Sequence, residues 1–246
     1  MKNIVLLILC LSVFAGVYAQ TDSSQAFDPH KALMLYIGFG GGYNDYKNLN
    51  AALEDHNLPT VGKFTLTNSL EVDHRHDNFL IGISGGMGLS YRRPDNYNVF
   101  LANFNGNLNI GYYVYNNKNF HLAPQAGIGF FSSLVNHSQR SDIEDFNELL
   151  EGKNSISINQ TAPVLDFCLR FDMADFTKAR SGAGSIKVGY KLGLSKHGWG
   201  IDPSNNSSID DSPEDRINQF YVMFSVGASL LKPQHMKDYM NKHMKK

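Results

Sequence analysis

The segment Phe100-Leu-Ala-Asn-Phe-Asn-Gly-Asn-Leu-Asn-Ile-Gly-Tyr112 decides the fold of this chain. Its even-numbered positions are mostly apolar, whereas Asn or Gly occupies every odd-numbered position from 103 to 111. A strict period of two is the pattern of a β-strand with one apolar and one polar face. Because the polar face carries Asn and Gly rather than the Lys, Glu and Thr of a water-exposed sheet, the pattern favours a strand between lipid and a polar lumen.

The same alternation recurs along the chain and predicts eight strands. They are Ala32–Gly42, Lys63–Asp73, Asn78–Arg92, Phe100–Tyr115, Asn119–Val135, Ile156–Ala174, Ser185–His197 and Asn218–Leu231. An even number of strands allows a closed antiparallel barrel to place both termini on one side of a membrane. The expected fold class is therefore all-β, a closed antiparallel eight-stranded transmembrane β-barrel.

The connections between these strands are uneven in length. The three longest, residues 43–62, 136–155 and 198–217, fall on one side of the barrel, as the external loops of outer-membrane barrels do. Two of these loops carry helical signals, which predict external helices at Asp45–Pro59, with Asp45 as its cap, and at Ser141–Gly152. The segment Asp73–Asp77 is expected to form a tight periplasmic turn.

Aromatic residues gather near the predicted strand ends, where interfacial girdles are expected. They are Tyr43, Tyr91, Tyr112, Tyr113, Tyr115, Phe120, Trp199 and Phe220. Pro124 and Pro163 lie within predicted strands, although proline removes a hydrogen bond from the ladder. A bulge towards the rim could accommodate each of them.

The two ends of the chain differ in character from the barrel. Residues 1–19 have a basic start, an apolar run and a small-x-small cleavage site, which predicts a secretory signal peptide. We expect a short periplasmic segment at 20–30, the barrel at 31–231 and a basic periplasmic tail at 232–246. The formal net charge of −1 argues against a nucleic-acid binder. Removal of the signal peptide leaves Cys168 as the one cysteine, so no intramolecular disulfide is expected.

With these features the chain resembles the small outer-membrane β-barrel proteins of Gram-negative bacteria, of the OmpA-membrane-domain and OmpX kind. The resemblance covers Lys31–Leu231 and includes short phrases such as Ala126-Gly-Ile-Gly-Phe130. It implies a monomer that resides in the cell outer membrane and contacts outer-membrane lipid. One departure is that the chain continues through Lys232–Lys246, whereas many such barrels end on an aromatic residue of the last strand.

Charged residues fall on the lumen-facing side of two predicted strands. They are Asp166, Arg170 and Asp172 on the sixth strand, and Lys187 and Lys191 on the seventh. If the turn between these strands centres near Arg180, Asp172 and Lys187 lie opposite each other as a pair of unlike charge. We expect these five residues to be structural and to fill the lumen, since eight strands leave an interior just wide enough for side chains.

Four groupings could carry chemistry, and a structural interpretation is favoured for each. His74 and His76 with flanking carboxylates could hold a metal, but a tight turn is the favoured interpretation of this segment. The acidic loop from Asp202 to Asp215 could bind a divalent cation, but it lacks the Asp-x-Asp-x-Asp-Gly spacing, so a solvated loop is favoured. The pairs His137-Ser138 and Ser195-Lys-His197 could form a catalytic Ser/His unit, but neither has a recognisable orienting group. We therefore expect no enzyme activity, no cofactor and no metal.

The sequence predicts an outer-membrane barrel with a plugged lumen and a structural, adhesive or surface-binding role carried by its external loops. An extracellular ligand or surface partner at those loops is compatible with this interpretation. Two alternatives remain open. One is a soluble secreted barrel that binds a small apolar ligand, as lipocalins do, and the other is a lipid-modifying barrel enzyme.

Overall fold

A computed structural model describes residues 27–94, 96–139, 155–176, 180–201 and 212–233. Eight long strands form the barrel, namely β1 (Phe27–Asn44), β2 (Phe64–His76), β3 (Phe79–Arg92), β4 (Tyr97–Tyr112), β6 (Phe120–Gln139), β7 (Ser155–Ala174), β8 (Arg180–Gly198) and β9 (Glu214–Pro233). A two-residue strand, β5 (Tyr115–Asn116), and one helix, α1 (Lys47–Asp55), complete the elements. Every neighbouring pair is antiparallel, and β1 pairs with β9 to close the ring. The predicted eight-stranded closed barrel is confirmed.

The strands turn their apolar side chains outwards and their polar side chains inwards. Leu66 and Leu108 on the outer wall expose 69% and 63% of their surface, whereas Asp73 and Arg170 inside the barrel are fully buried. A soluble barrel for an apolar ligand needs the opposite arrangement, so this distribution is that of a barrel surrounded by lipid. No helix among the described residues is long and apolar enough to cross a membrane.

The two ends of the barrel are distinct. At the inner end lie the start of β1, the end of β9 and the connections that follow β2, β4 and β7. At the outer end lie the connections that follow β1, β3, β6 and β8, including the one that contains α1. The predicted signal peptide, the helix predicted at Ser141–Gly152 and the acidic loop from Asp202 to Asp211 lie outside the described residues.

Several boundaries differ from the sequence prediction. The barrel strands begin at Phe27 and end at Pro233, so the wall extends beyond 31–231. The tight turn predicted at Asp73–Asp77 is wrong, because β2 continues to His76 and the chain reverses at Asp77, whose φ is 54°. The alternation of β2 therefore continues through Asp73 and Arg75, and both side chains are buried in the lumen.

Pro124 and Pro163 each lie one residue beyond the end of the hydrogen-bonded ladder to one neighbouring strand. The β7–β8 ladder begins at Val164, one residue after Pro163, and β8 carries a register shift between Leu192 and Lys196 nearby. The β4–β6 ladder ends at Gln125, one residue after Pro124, and β5 takes over the pairing at Leu122. A residue without an N–H is tolerated at these positions because no ladder bond is required of it there.

The aromatic girdle is present except at two of its predicted positions. Tyr43, Tyr91, Tyr112, Tyr115, Phe120 and Phe220 are exposed on the outer wall. Tyr113 and Trp199, in contrast, are each 1% exposed. Both follow the end of a long strand and fold back into the barrel, Tyr113 at the inner end and Trp199 at the outer end.

Candidate functional site

Arg170 is the centre of an ion cluster in the inner half of the lumen. Its Nη1 donates to Oε1 of Glu71 at 3.1 Å and to Oδ2 of Asp73 at 2.6 Å, and its Nε donates to Oδ1 of Asp172 at 2.8 Å. The guanidinium also lies 4.9 Å from the ring centroid of Tyr36. Because β2 and β7 are not neighbours in the sheet, these bonds join walls that are separate in the barrel.

Lys187 completes this ion cluster from β8. Its Nζ donates to both carboxylate oxygens of Glu71. The predicted pairing of Lys187 with Asp172 is wrong, since the register places Lys187 opposite Arg170 and Asp172 opposite Ser185. The prediction placed the β7–β8 turn one residue too late. This error shifts each partner by two residues, and a shift of two keeps every side chain on its face.

A second ion pair lies nearer the outer end. Nζ of Lys191 donates to Oδ2 of Asp166 at 2.6 Å, and the hydroxyl of Tyr221 donates to Oδ1 of Asp166 at 2.8 Å. The ammonium group also lies 4.5 Å from the centroid of the Tyr221 ring. All three side chains are buried, so the charge of Asp166 is balanced within the lumen.

Aromatic rings and a cation lie in contact at the inner end of the lumen. The Arg75 guanidinium lies 4.1 Å from the ring centroid of Phe176 and 5.3 Å from that of Tyr113. His121 contacts the same two rings and binds the carbonyl oxygen of Ala174 through Nε2 at 3.0 Å. The Tyr113 hydroxyl donates to Oδ2 of Asp172 at 2.5 Å and so links these rings to the Arg170 cluster.

Helix α1 packs against the wall at the outer end of the barrel. Its buried residues Leu49 and Leu53 pack with Tyr46, Trp199 and wall residues of β4 and β6, so the apolar face of α1 faces the barrel. The rings of Tyr46 and Trp199 meet edge to face, with centroids 5.8 Å apart. We call α1 together with Tyr46 and Trp199 the lid.

The start of α1 is held by a residue far away in the sequence. The Asp215 carboxylate on β9 accepts the backbone N–H groups of Asn48 and Leu49, each at 2.9 Å, and Nε1–H of Trp199 at 3.2 Å. The predicted cap Asp45 instead forms an ion pair with Lys63 at 3.3 Å, and the residue at the cap position, Tyr46, makes no side-chain cap. A carboxylate at this position satisfies free N–H groups of the first turn and complements the helix dipole.

Tyr46 connects the lid to the lumen wall. Its hydroxyl donates to Oδ1 of Asn103 at 3.0 Å and lies 3.2 Å from Oγ of Ser133. Burial raises the pKa of Tyr46 to about 12, and the two hydrogen bonds oppose this rise. The phenol is therefore neutral at physiological pH and acts as a hydrogen-bond donor.

The groupings considered for chemistry are only partly assembled. Ser195 Oγ and His197 Nε2 lie 2.7 Å apart beside the register shift of β8, but no carboxylate within the described residues orients the imidazole. His137 is buried, and both its ring nitrogens lack a hydrogen-bond partner among the described residues. His74 and His76 are exposed on the outer wall. No group of three His, Cys, Asp or Glu side chains in the described ranges could hold a metal ion.

Sequence reasoning did not identify Glu71, Asp73 or Asp215 as partners of the lumen charges and of the lid. Glu71 and Asp73 alternate with the outward residues Leu70 and Val72, so the period of two assigns both to the lumen. The role of Asp215 depends on the closure of the barrel between β1 and β9, and no local pattern indicates it.

No protein-family model matches the sequence, and a search of curated proteins finds no match. Solved structures with a similar fold include Ail, the attachment invasion locus protein of Yersinia pestis, crystallised with the heparin analogue sucrose octasulfate (9% identity, TM-score 0.47, 82% of this chain and 99% of that one). Neisserial surface protein A is similar over 81% of this chain and 97% of its own (9% identity, TM-score 0.42). The Escherichia coli outer-membrane protease OmpT is similar over 85% and 99% (12% identity, TM-score 0.36). At these identities and TM-scores, no ligand or activity can be transferred to this chain.

Proposed function

We propose that this chain is an outer-membrane barrel with a closed lumen, which serves the cell envelope through its outer surface in a structural or binding role. The observation that carries the proposal is the lid, in which Trp199 is 1% exposed and α1 is anchored by Asp215 at the mouth. Below the lid, the Arg170 cluster joins β2 to β7 across the inner half of the lumen. The five lumen charges Asp166, Arg170, Asp172, Lys187 and Lys191 are, in this proposal, structural cross-links.

Planar-bilayer recording of the purified protein tests the closed lumen. We expect no steady single-channel current, since a permeating ion would have to displace both the lid and buried ion pairs. A channel-forming porin, inserted into the same bilayer, serves as the positive control. A large and steady current from the wild-type protein would contradict the proposal and favour a role for the charges as a conducting path.

The surface beside the lid supports a binding role. A groove of about 420 Å³ lies between α1, the end of the following loop and the rim of β3, and Lys47, Glu54, Lys63 and Arg92 are among the residues that line it. Its walls are held in place, because Asn50 exchanges hydrogen bonds with the backbone of Val61 and Arg92 donates to the carbonyl oxygen of Thr60. A groove of fixed shape with charges of both signs suits a polar ligand at the cell surface.

Binding by this groove can be measured on an array of glycans and extracellular-matrix components. We expect the wild-type protein to retain a subset of them and the double variant Lys47→Gln/Arg92→Gln to lose that subset. Lys118→Gln, at the opposite end of the barrel, is the matched control. Equal retention by all three proteins would exclude the groove as the binding surface.

A further inference from the structure

Strand β2 carries a polar side chain in the middle of its lipid-facing row. The outward residues of this row are Phe64, Leu66, Asn68, Leu70 and Val72. Asn68 is exposed, and it is the central residue of the row. Phe64 pairs with the girdle residue Tyr43 at the outer end, whereas the row reaches the exposed His74 near the inner end. Asn68 therefore lies at mid-depth in the apolar band.

The described residues around Asn68 provide no partner for its amide. The register places Phe39 of β1 and Met87 of β3 on either side of it, and Leu66 and Leu70 flank it along its own strand. Acyl chains offer no hydrogen bond, and the side chain is too short to reach the headgroups as Lys and Arg do. An amide left unpaired in hydrocarbon is costly, so a polar side chain at this depth indicates a contact.

Polar side chains at other places on the outer wall are paired within the chain. The hydroxyl of Thr161 on β7 donates to Oγ of Ser132 on β6 at 2.8 Å. Near the outer rim, the hydroxyl of Tyr91 donates to Oδ1 of Asn98 at 3.0 Å. Among the described residues Asn68 has no such neighbour, so its partner has to come from outside the chain.

The wall beside Asn68 is low enough for another protein to approach closely. Gly85 on β3 is the register partner of Leu70 and a diagonal neighbour of Asn68. A Cβ atom at Gly85 would meet only the carbonyl oxygen of Asn105, at 3.6 Å, so the space outside this glycine is open. Small residues at an interface within a membrane let two backbones approach, and polar side chains there form hydrogen bonds between the proteins.

We propose that the face centred on Asn68 and Gly85 binds a second copy of this chain in the bilayer. Two copies inserted in the same direction are related by a two-fold axis along the membrane normal, so the amides of Asn68 on the two copies meet at the same depth. A primary amide both donates and accepts, so the two amides exchange a pair of hydrogen bonds. Lipids have no matching polar group at mid-depth. This dimer departs from the monomer that the resemblance implies.

Energy transfer between labelled copies in lipid vesicles tests the dimer. Donor and acceptor dyes are attached at Lys118→Cys, at the exposed inner end, in a Cys168→Ser background, and transfer is measured as the vesicles are diluted with lipid. Asn68→Leu suits a lipid-facing position and keeps the barrel folded. We expect it to weaken association roughly ten-fold, as the loss of two hydrogen bonds between membrane-embedded side chains implies.

Thr161→Val is the matched control, because it removes a hydrogen bond from the outer wall on β7, which lies opposite β2 in the ring. It should leave the association unchanged. Transfer no greater than that of randomly distributed copies would overturn the proposal. Equal association of Asn68→Leu and the parent protein would overturn it as well, since the copies would then meet through another face.

Cross-linking in living cells identifies the occupant of this face. A photoreactive benzophenone side chain replaces Leu66, whose surface is 69% exposed beside Asn68. We expect a product of twice the mass of the chain, and its loss when Asn68→Leu is added. A product that joins the chain to a different envelope protein, or to lipid alone, would overturn the proposal. Each of these outcomes leaves the closed lumen to the current recording described above.

Discussion

The ring of Phe130 lies against the backbone of Gly106, its register partner on β4. A Cβ atom at Gly106 would be 2.7 Å from Cε1 of that ring. At Gly85, the partner of Gly106 on β3, a Cβ atom would meet only the Asn105 carbonyl oxygen, at 3.6 Å. Gly106 and Gly85 face each other across one ladder, yet only the Gly85 position has space for a methyl group.

We expect Gly106→Ala to be less stable than Gly85→Ala by about 1–3 kcal/mol, the cost of the overpacked contact. Replacing glycine in an open strand position stabilises by about 0.5–1 kcal/mol. The measurement is the urea midpoint of unfolding from lipid vesicles. In a Phe130→Leu background the two alanine variants should converge, and an unchanged difference would show that the ring is not the cause.

Replacing Arg170 should destabilise the barrel strongly. Arg170→Met leaves the carboxylates of Asp73 and Asp172 buried without their cation, and removing one partner of a buried pair costs roughly 3–5 kcal/mol. Unfolding in urea should shift accordingly, whereas Arg92→Met at the exposed rim should change little. Adding Asp73→Asn to Arg170→Met should recover part of the loss. A double variant no more stable than Arg170→Met would contradict the assigned charge balance.

Asp215→Asn should loosen the lid while leaving the barrel folded. The change weakens three hydrogen bonds to a charged acceptor, each worth roughly 1.5–3 kcal/mol. Because Trp199 is the one tryptophan of the chain, its emission should shift to longer wavelength as water reaches it. Proteolysis between residues 45 and 63 should become faster. Asp55→Asn, at the exposed end of the same helix, is the control that should leave both readouts unchanged.

The Tyr46–Trp199 contact predicts a specific alkaline transition. Tyrosinate quenches tryptophan, so Trp199 fluorescence should fall as pH rises through about 12, the raised pKa of Tyr46. Because the pKa in the folded state lies above the ordinary value near 10, burial of the neutral phenol stabilises the lid fully below pH 10. This stabilisation is lost as pH rises through the folded-state pKa. Tyr46→Phe should lack the step, and a wild-type step near pH 10 would disprove the burial effect.

Cysteine labelling on intact cells tests which end of the barrel faces outwards. In a Cys168→Ser background, Asp55→Cys on α1 should react with a membrane-impermeant maleimide. Asp77→Cys, in the turn after β2, should react only after the outer membrane is permeabilised. The reverse result would invert the topology and place the lid in the periplasm.

The period of two was sufficient to predict which face of each strand meets lipid, because a side chain's face depends only on whether its position is odd or even. Predicting the register also requires the position of the turn, and the sequence between β7 and β8 contains no strong turn signal. The pattern therefore predicts the correct face for Asp172 but not its cross-strand partner, which is Ser185. The same pattern extended through Asp73 and Arg75, but polar composition made this strand end resemble a turn.

The lid illustrates what local sequence does not contain. The spacing of Leu49 and Leu53 predicts a helix with an apolar stripe. Its capping group, however, is Asp215, which is brought there by the pairing of the first barrel strand with the last. The position of Trp199 at a strand end predicts a place in the aromatic girdle. Its burial instead depends on the same long-range closure of the barrel.

This arrangement has a consequence for the order of assembly. A helix as short as α1 is not stable alone in water, and its first turn gains its acceptor only when β9 has docked beside β1. Helix α1 is synthesised early, but its first turn cannot be capped until β9, the last barrel strand, is in place. We expect α1 to form after ring closure during insertion, so that burial of Trp199 marks the moment at which a barrel is complete.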